Sequence, residues 1–318
     1  MNAAFHRALN TLTSYLDCFL VPRCIHRARR QHLLSAFTPE QRAYMQQRVD
    51  YYNKLSTPAS IHASCQVGDF VFPLFRKPRF STYFLDLYET LRYFPKNKRF
   101  HYLFGDVIHV PEEPTFVKSR PISINNQFSV VMKLDKRRHF RFAKDELSFT
   151  QKKNMLVSRT TWAKASVQRT LLNRMFLNHP MFNVGKTRLE EDEDFPESVR
   201  GFLTMQQQLE YKFIACIEGN DVASNLKWVM SSNSLAVMPR PCYETWFMEG
   251  TLKPDYHYIE VKPDFSDLVE KIQYYIAHPD EAQAIIDHAH DYIAQFQDKK
   301  MERAVQIMVA QKYFELTN

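Results

Sequence analysis

A chain of 318 residues is long for one compact core, so one large domain or two of ordinary size are the options. With 45% hydrophobic residues and 14% aromatics there is ample material for a packed interior, which excludes global disorder. The formal charge of +7 points to an acidic partner, for which nucleic acid, anionic lipid and sugar nucleotide all qualify. At the N-terminus, Phe5, Leu9, Leu12, Leu16, Phe19 and Leu20 fall on one helical face, with Arg23 to Arg30 behind them. Asp17 interrupts the apolar part and no small-residue cleavage site follows, so a signal peptide is not expected. The stripe fits either an anionic membrane surface or the protein's own core. No stretch reaches the roughly 18 apolar residues of a membrane span.

Thr38-Pro39-Glu40-Gln41 supplies an N-cap, a proline at the first helical position and a glutamine placed for a capping box, which predicts a helix over 38–54. Alternation over 60–76 predicts a short strand, and 81–93 reads as helix. "RFHYLFGD" (99–106) is an apolar strand ending in Gly105-Asp106. The proline-rich "VPEEPTFVKSRPI" that follows is loop with short extended pieces, and 128–134 is another strand. After about residue 145 the texture changes. Strands at 154–159, 211–219, 234–239 and 257–261 alternate with helices at 162–177, 221–231, 242–249, from Asp264 and from Pro279. That order implies a parallel sheet covered on both faces. A last helix, about 298–315, presents Met301, Ala304, Val305, Met308, Val309 and Tyr313 on one face.

In an open α/β sheet, ligands sit beyond the carboxyl ends of strands. Gly219, one of only six glycines, stands at such a point. Without a side chain it admits close backbone approach, and Asn220, Asp221 and Ser224 suit the cap of the helix that follows. Amides and the positive end of the helix dipole would face an anion there, with Lys227 reaching a phosphate. A tight strand-to-helix turn uses the same glycine with no ligand involved. Asp106, at a strand end after glycine, suits a catalytic carboxylate facing a cleft, or a turn cap. The cysteines, Cys18, Cys24, Cys65, Cys216 and Cys242, are odd in number and show no CxxC pair. They indicate neither a disulfide framework nor structural zinc, and a reducing cytoplasm fits.

The segment from Glu218 to Leu268 resembles the signature region of glycosyltransferase family 90, most closely its bacterial lipopolysaccharide-modifying branch. The family's run of motifs is present as Glu218-Gly219, Ser224 with Lys227, Ser232-Asn233-Ser234, Leu252 with Pro254, and His257-Tyr258. The resemblance implies a GT-B-like α/β fold: two Rossmann-like lobes facing a central cleft, with the C-terminal helix returning to the first lobe. The lobes would span 1–145 for the acceptor and 146–296 for the nucleotide sugar, followed by the helix 297–318. It also implies a cytoplasmic hexosyltransferase that uses a UDP-sugar, inverts the anomeric centre and needs no metal or other cofactor. The acceptor would be a lipopolysaccharide or lipooligosaccharide core at the inner membrane face, to which the basic surface would be drawn.

On this resemblance the Gly219 turn, Ser224 and Lys227 hold the diphosphate. Arg159 stands where the family shows an arginine-glycine pair, with Thr160 in place of the glycine, and Arg169 is a second candidate phosphate ligand. Either arginine equally suits a surface ion pair. Asp106, followed by the proline-rich segment and Lys118-Ser119, is the general base. Glu244 would bind donor hydroxyls or complement the dipole of its own helix. His257 reads as a packed residue. Asp192-Glu193-Asp194 looks like a metal-binding D-x-D, but its charged flanks make it a solvated loop. His288 and His290, at i and i+2 on a helix, point to different faces and cannot share a metal. The rival readings are the same fold acting on a capsule glycan or a protein hydroxyl, an inactive scaffold, and a nucleic-acid-binding protein. No RNP-type, helix-turn-helix or zinc signature supports the last, so no nucleic-acid partner is expected.

Overall fold

The computed structural model describes residues 23–62, 65–71, 81–161, 167–188 and 195–317. The amphipathic stripe over 5–20, the acidic run 190–194 and the start of the helix expected from 162 lie outside them. The principal helices are α1 (Arg23–Ser35), α2 (Pro39–Tyr52), α3 (Ser81–Leu91), α4 (Val167–Phe176), α5 (Leu226–Met230), α6 (Leu268–Ala277), α7 (Pro279–Ala294) and α8 (Lys299–Thr317). The strands are β1 (Cys65–Gln66), β2 (Arg99–Phe100), β3 (Thr115–Val117), β4 (Ser119–Pro121), β5 (Ser129–Val131), β6 (Lys153–Thr160), β7 (Phe182–Lys186), β8 (Tyr211–Ala215), β9 (Leu235–Met238), β10 (Tyr243–Thr245) and β11 (Ile259–Glu260). The chain divides into two compact units, one running up to Lys136 and resuming at Asp298, the other spanning Arg137–Gln297.

In the first unit α8 is the spine. It packs along α2 and touches α3 and β2. Tyr313 stacks near Phe116 of β3 with ring centroids 4.2 Å apart, and Phe314 meets Phe94 at 4.8 Å. The Tyr313 hydroxyl donates to the Pro114 carbonyl and accepts from the His101 amide, so a buried aromatic ties two loops without an unsatisfied polar atom. The capping box at Thr38 is formed: Gln41 N–H donates to Thr38 Oγ1 and Thr38 N–H to Gln41 Oε1. At its other end, α2 hands the carbonyls of Tyr51 and Tyr52 to the fully buried guanidinium of Arg120, which also binds the Ser129 carbonyl. Orphan carbonyls at a helix end need such donors once water is excluded. The strands are short here: β1 pairs with β2 antiparallel, and β3 with β5 parallel. Among the described residues this unit therefore lacks the larger parallel sheet that a Rossmann-like lobe would show. Among the described residues of the apolar runs at 60–76 and 99–106 the strands are two residues long, and Phe70, Phe100, Tyr102 and Phe104 pack against one another.

The second unit holds a five-stranded parallel sheet in the order β11-β9-β8-β6-β7. Every residue of β8 and β9 is buried, as expected of strands covered on both faces. Leu156, Phe213, Leu235 and Ile259 from four strands pack with Leu172 of α4, Ile272 of α6 and Ile286 of α7 in one core. Two expected helices are corrected. The one read over 221–231 shrinks to the five residues of α5, because 219–225 is spent on bends and a turn. The one read over 242–249 is a strand, β10, followed by a short 3-10 turn at Glu249–Thr251. Strand β7 had no counterpart in the sequence reading: "FNVGK" is short, and Asn183 and Gly185 break its apolar pattern.

Glu302 of α8 sits 2.6 Å from Arg48 of α2 and 2.5 Å from Lys133, all three nearly inaccessible. Removing this anion takes the charge partner of two buried cations out of the core. Glu302→Ala should therefore destabilise the protein by about 3–5 kcal/mol, against about 1 kcal/mol for loss of the exposed cap in Thr38→Ala. Urea denaturation of the two variants measures both, and equal effects would refute the ranking.

Candidate functional site

The sheet order places a topological switch between β6 and β8. From β6 the chain crosses through α4 to β7 on one side, whereas β8 leads to β9 and β11 on the other. Strands that depart in opposite directions leave a crevice at their carboxyl ends, the usual ligand position in open α/β sheets. Arg169 of α4 occupies it. Its Nε and Nη2 donate to the Ile217 carbonyl beyond β8, and its Nη1 donates to the Thr161 carbonyl beyond β6. Burial, reinforced by nearby Arg138, holds its pKa below the usual arginine value.

Gly219 lies under this guanidinium. A Cβ there would come within 2.7 Å of Arg169 Nη2. The glycine is thus explained by the close approach of an arginine, and its φ is not in the left-handed range. Asn225 Nδ2 donates to the Ala215 carbonyl, closing the end of β8 from the following turn, in which Ser224 is partly exposed. The five-residue α5 is too short to carry the dipole argument made for a longer helix.

Lys227 does not present its tip to an open site. Its side chain is fully buried, with Nζ 2.5 Å from Glu249 Oε1 and 5.2 Å from the centroid of Phe247. Glu249 also accepts from the Thr245 amide and hydroxyl, so the pair pins α5 to the segment after β10. Glu244 lies on β10 and is buried, which corrects its expected place at a helix start. Arg159 turns along the sheet to β7, donating to the Asn183 carbonyl and to Asn183 Oδ1. Thr160 continues β6 as regular strand opposite Lys186, so the missing glycine imposes no local distortion.

Glu218 was quoted in the motif but given no role by the sequence reading. Its Oε1 accepts the amides of Cys242 and Tyr243, joining the Gly219 loop to the entry of β10. Burial pushes its carboxyl up to about 7, against the opposing pull of the two amides. Glu249, the partner of Lys227, was likewise missed. His257 is packed, its Nδ1 accepting from the Lys253 amide and its pKa pushed down to about 4 by burial and by Lys253. His288 stacks on Tyr256 while His290 binds the Ser232 carbonyl, so the two point to different neighbours.

In the first unit, Gly105 adopts φ 103°, a conformation that admits glycine and turns the chain before Asp106. The next two residues are held by the Lys118-Ser119 pair. Lys118 Nζ lies 2.6 Å from Asp106 Oδ1, and Ser119 Oγ both accepts from the Val107 amide and donates to its carbonyl. Lys118 is 1% exposed but the Asp106 side chain 24%, so the carboxylate is anchored by a buried lysine while part of it stays accessible.

A parallel sheet with an arginine across its switch crevice, and an anchored but accessible carboxylate elsewhere in the chain, are parts that a group-transfer enzyme acting on an anionic substrate would use. The chain belongs to glycosyl transferase family 90, whose model matches residues 131–317. It is 42% identical to the O-glucosyltransferase LpsA of Dichelobacter nodosus over 283 residues, which cover 87% of this chain and 85% of that one. Shorter matches reach uncharacterized protein 035R of Invertebrate iridescent virus 3 (32% over 100 residues, 31% of this chain and 9% of the viral one) and uncharacterized protein 179R of Invertebrate iridescent virus 6 (37% over 79 residues, 23% and 7%). The protein is therefore a glycosyltransferase.

A carboxyl whose pKa is higher folded than unfolded binds its proton more tightly in the native state. The stability that Glu218 contributes is thus complete below pH about 4.5 and lost as pH rises through about 7. Glutamine accepts the same two amide bonds without titrating. Urea midpoints measured across this window should fall for the wild type relative to Glu218→Gln, and parallel profiles would refute the assignment.

Proposed function

We propose that the protein moves a hexose from a UDP-sugar to a hydroxyl of a lipopolysaccharide or lipooligosaccharide core, with inversion and without a metal. The observation that carries the donor half is Arg169, fixed over Gly219 at the switch crevice. The observation behind the acceptor half is the Lys118-Ser119 bracket around Asp106. Family membership and the likeness to an O-glucosyltransferase support a sugar donor and a hydroxyl acceptor. The net charge of +7 suits substrates rich in phosphate and carboxylate.

In this reading the acceptor oxygen attacks the anomeric carbon while Asp106 takes its proton. The bond from that carbon to the diphosphate breaks, and UDP leaves with the electron pair. Arg169 and the amides of the Gly219 loop steady the departing charge, with Ser224 beside them. Glu244 binds hydroxyls of the donor sugar. Lys227 and Arg159 act as positioning residues, the first locking α5 to the segment after β10 through Glu249, the second bracing β6 against β7. This departs from the direct phosphate contacts that the resemblance implied for both.

Asp106→Asn keeps the shape and removes the base. Transfer to purified core oligosaccharide should fall by about 10²–10⁴-fold, while thermal stabilisation by the UDP-sugar persists; normal turnover would refute the assignment of the base. A thermal-shift panel of UDP-glucose, UDP-galactose, UDP-N-acetylglucosamine and UDP-xylose should show one preferred donor, unchanged by EDTA. Loss of the shift with EDTA would contradict the metal-free reading. Transfer to a polypeptide or a capsule glycan instead of core oligosaccharide would replace the acceptor.

A further inference from the structure

A second charged feature lies in the first unit, outside every residue assigned to transfer. A cavity of about 390 Å³ opens between α1, the turn after α3 and the start of α8. This is within the range of small-molecule sites, about 300–1,000 Å³. Arg29, Arg92, Lys300 and Arg303 line it together with His26 and His32, and no carboxylate does. Arg92 and His26 are each 2% exposed and form its inner wall against Tyr93, while Arg29, His32, Lys300 and Arg303 stand at its mouth.

Two physical costs are built into this arrangement. Four cations line one cavity and repel one another, and among the described residues none of the exposed Arg29, Lys300 and Arg303 forms a salt bridge. Lys300 also lies in the first turn of α8, the positive end of the helix dipole, which it shares with Glu302, and Arg303 follows directly after that turn. Elsewhere in the same unit buried cations are matched: Lys136 has Asp86 and Glu89, Lys133 has Glu302, and Lys118 has Asp106. Three exposed cations without a salt bridge, gathered at the mouth of one concave place, are what an anionic ligand would neutralise. Arginines dominate the lining, and their planar forks match phosphate oxygens two at a time.

We propose that this cavity binds clustered phosphate groups, carried by a phosphorylated sugar or by a phospholipid headgroup. The spacing supports it. On α1, His26, Arg29 and His32 recur every three residues and share a face, and Lys300 and Arg303 do the same on α8, so two helices bring their cations to one cavity.

The test is titration of the full-length protein, saturated with UDP to occupy any donor site, with inositol hexakisphosphate, and separately with phosphatidylcholine vesicles with and without phosphatidic acid. The wild type should bind at least one probe in a salt-sensitive way. Arg29→Gln and Lys300→Glu/Arg303→Glu alter exposed side chains and should melt like the wild type. Arg29→Gln should weaken binding about tenfold, the factor for one lost charge-assisted hydrogen bond, and the double variant should weaken it further. Binding of the soluble probe alone assigns the cavity to phosphorylated sugars, and binding of the phosphatidic acid vesicles alone assigns it to a headgroup. No binding of either probe by the wild type, or equal binding by the folded variants, overturns the proposal.

Discussion

The carboxyl ends of β6 and β8 are the point on which the second unit turns, and one guanidinium spans them. Parallel strands whose connections leave in opposite directions expose carbonyls beyond their last ladder bonds. Buried carbonyls need donors. Arg169 supplies one to the buried Ile217 and also binds the exposed Thr161 carbonyl, which ties together the two chain segments that border the crevice. The requirement then propagates. The guanidinium needs room, so position 219 is glycine. The chain beyond Gly219 bends before it can become helical, so α5 starts late, and Asn225 has to close β8 from that turn. A single planar cation thus decides the residue type, the loop path and the helix length around it.

Buried charge is used repeatedly as a joint between segments distant in sequence. Lys227 with Glu249 joins α5 to the segment after β10, Glu302 joins α8 to α2 and to the chain after β5, and Lys118 joins β3 and β4 to the loop at Asp106. Each joint carries a desolvation penalty that hydrophobic packing of similar volume would avoid, so their worth lies in fixing geometry rather than in raw stability. The first two pairs are closed on all sides. In the third the carboxylate is partly accessible while its lysine is buried, and this asymmetry separates Asp106 from the purely structural acids.

Much of the second unit could be read from the sequence because its signals are local. The apolar runs at 154–159, 211–219 and 234–239 became β6, β8 and β9, and Pro279 opens α7. Thr38 to Gln41 announced a cap that needs only neighbours in sequence. What escaped depends on partners far along the chain. Asp221, expected to cap the helix, does not do so, since the helix starts at Leu226 after Asn225, and Lys227 looks like a phosphate ligand until Glu249 is placed beside it. Glu218 looks like half of a motif until the amides of Cys242 and Tyr243 converge on it. Nothing local distinguishes a strand from a helix over 242–249 either, because the partner that holds Glu249 is Lys227, twenty-two residues away in sequence.

The Lys118-Ser119 pair shows how two adjacent residues can aim one carboxylate. Successive side chains of an extended segment point to opposite sides, yet both of these reach the same loop, because Gly105 turns that loop across them. Lysine fixes an oxygen of the Asp106 side chain, and serine fixes the amide and carbonyl of the next residue, so backbone and side chain are restrained independently. A base that must meet a hydroxyl in one orientation gains from such restraint, since little reorganisation is then left for the reaction itself. The glycine, the aspartate and the lysine-serine pair form one device spread over fifteen residues of sequence, from Gly105 to Ser119, and Asp106 is the member that solvent can reach.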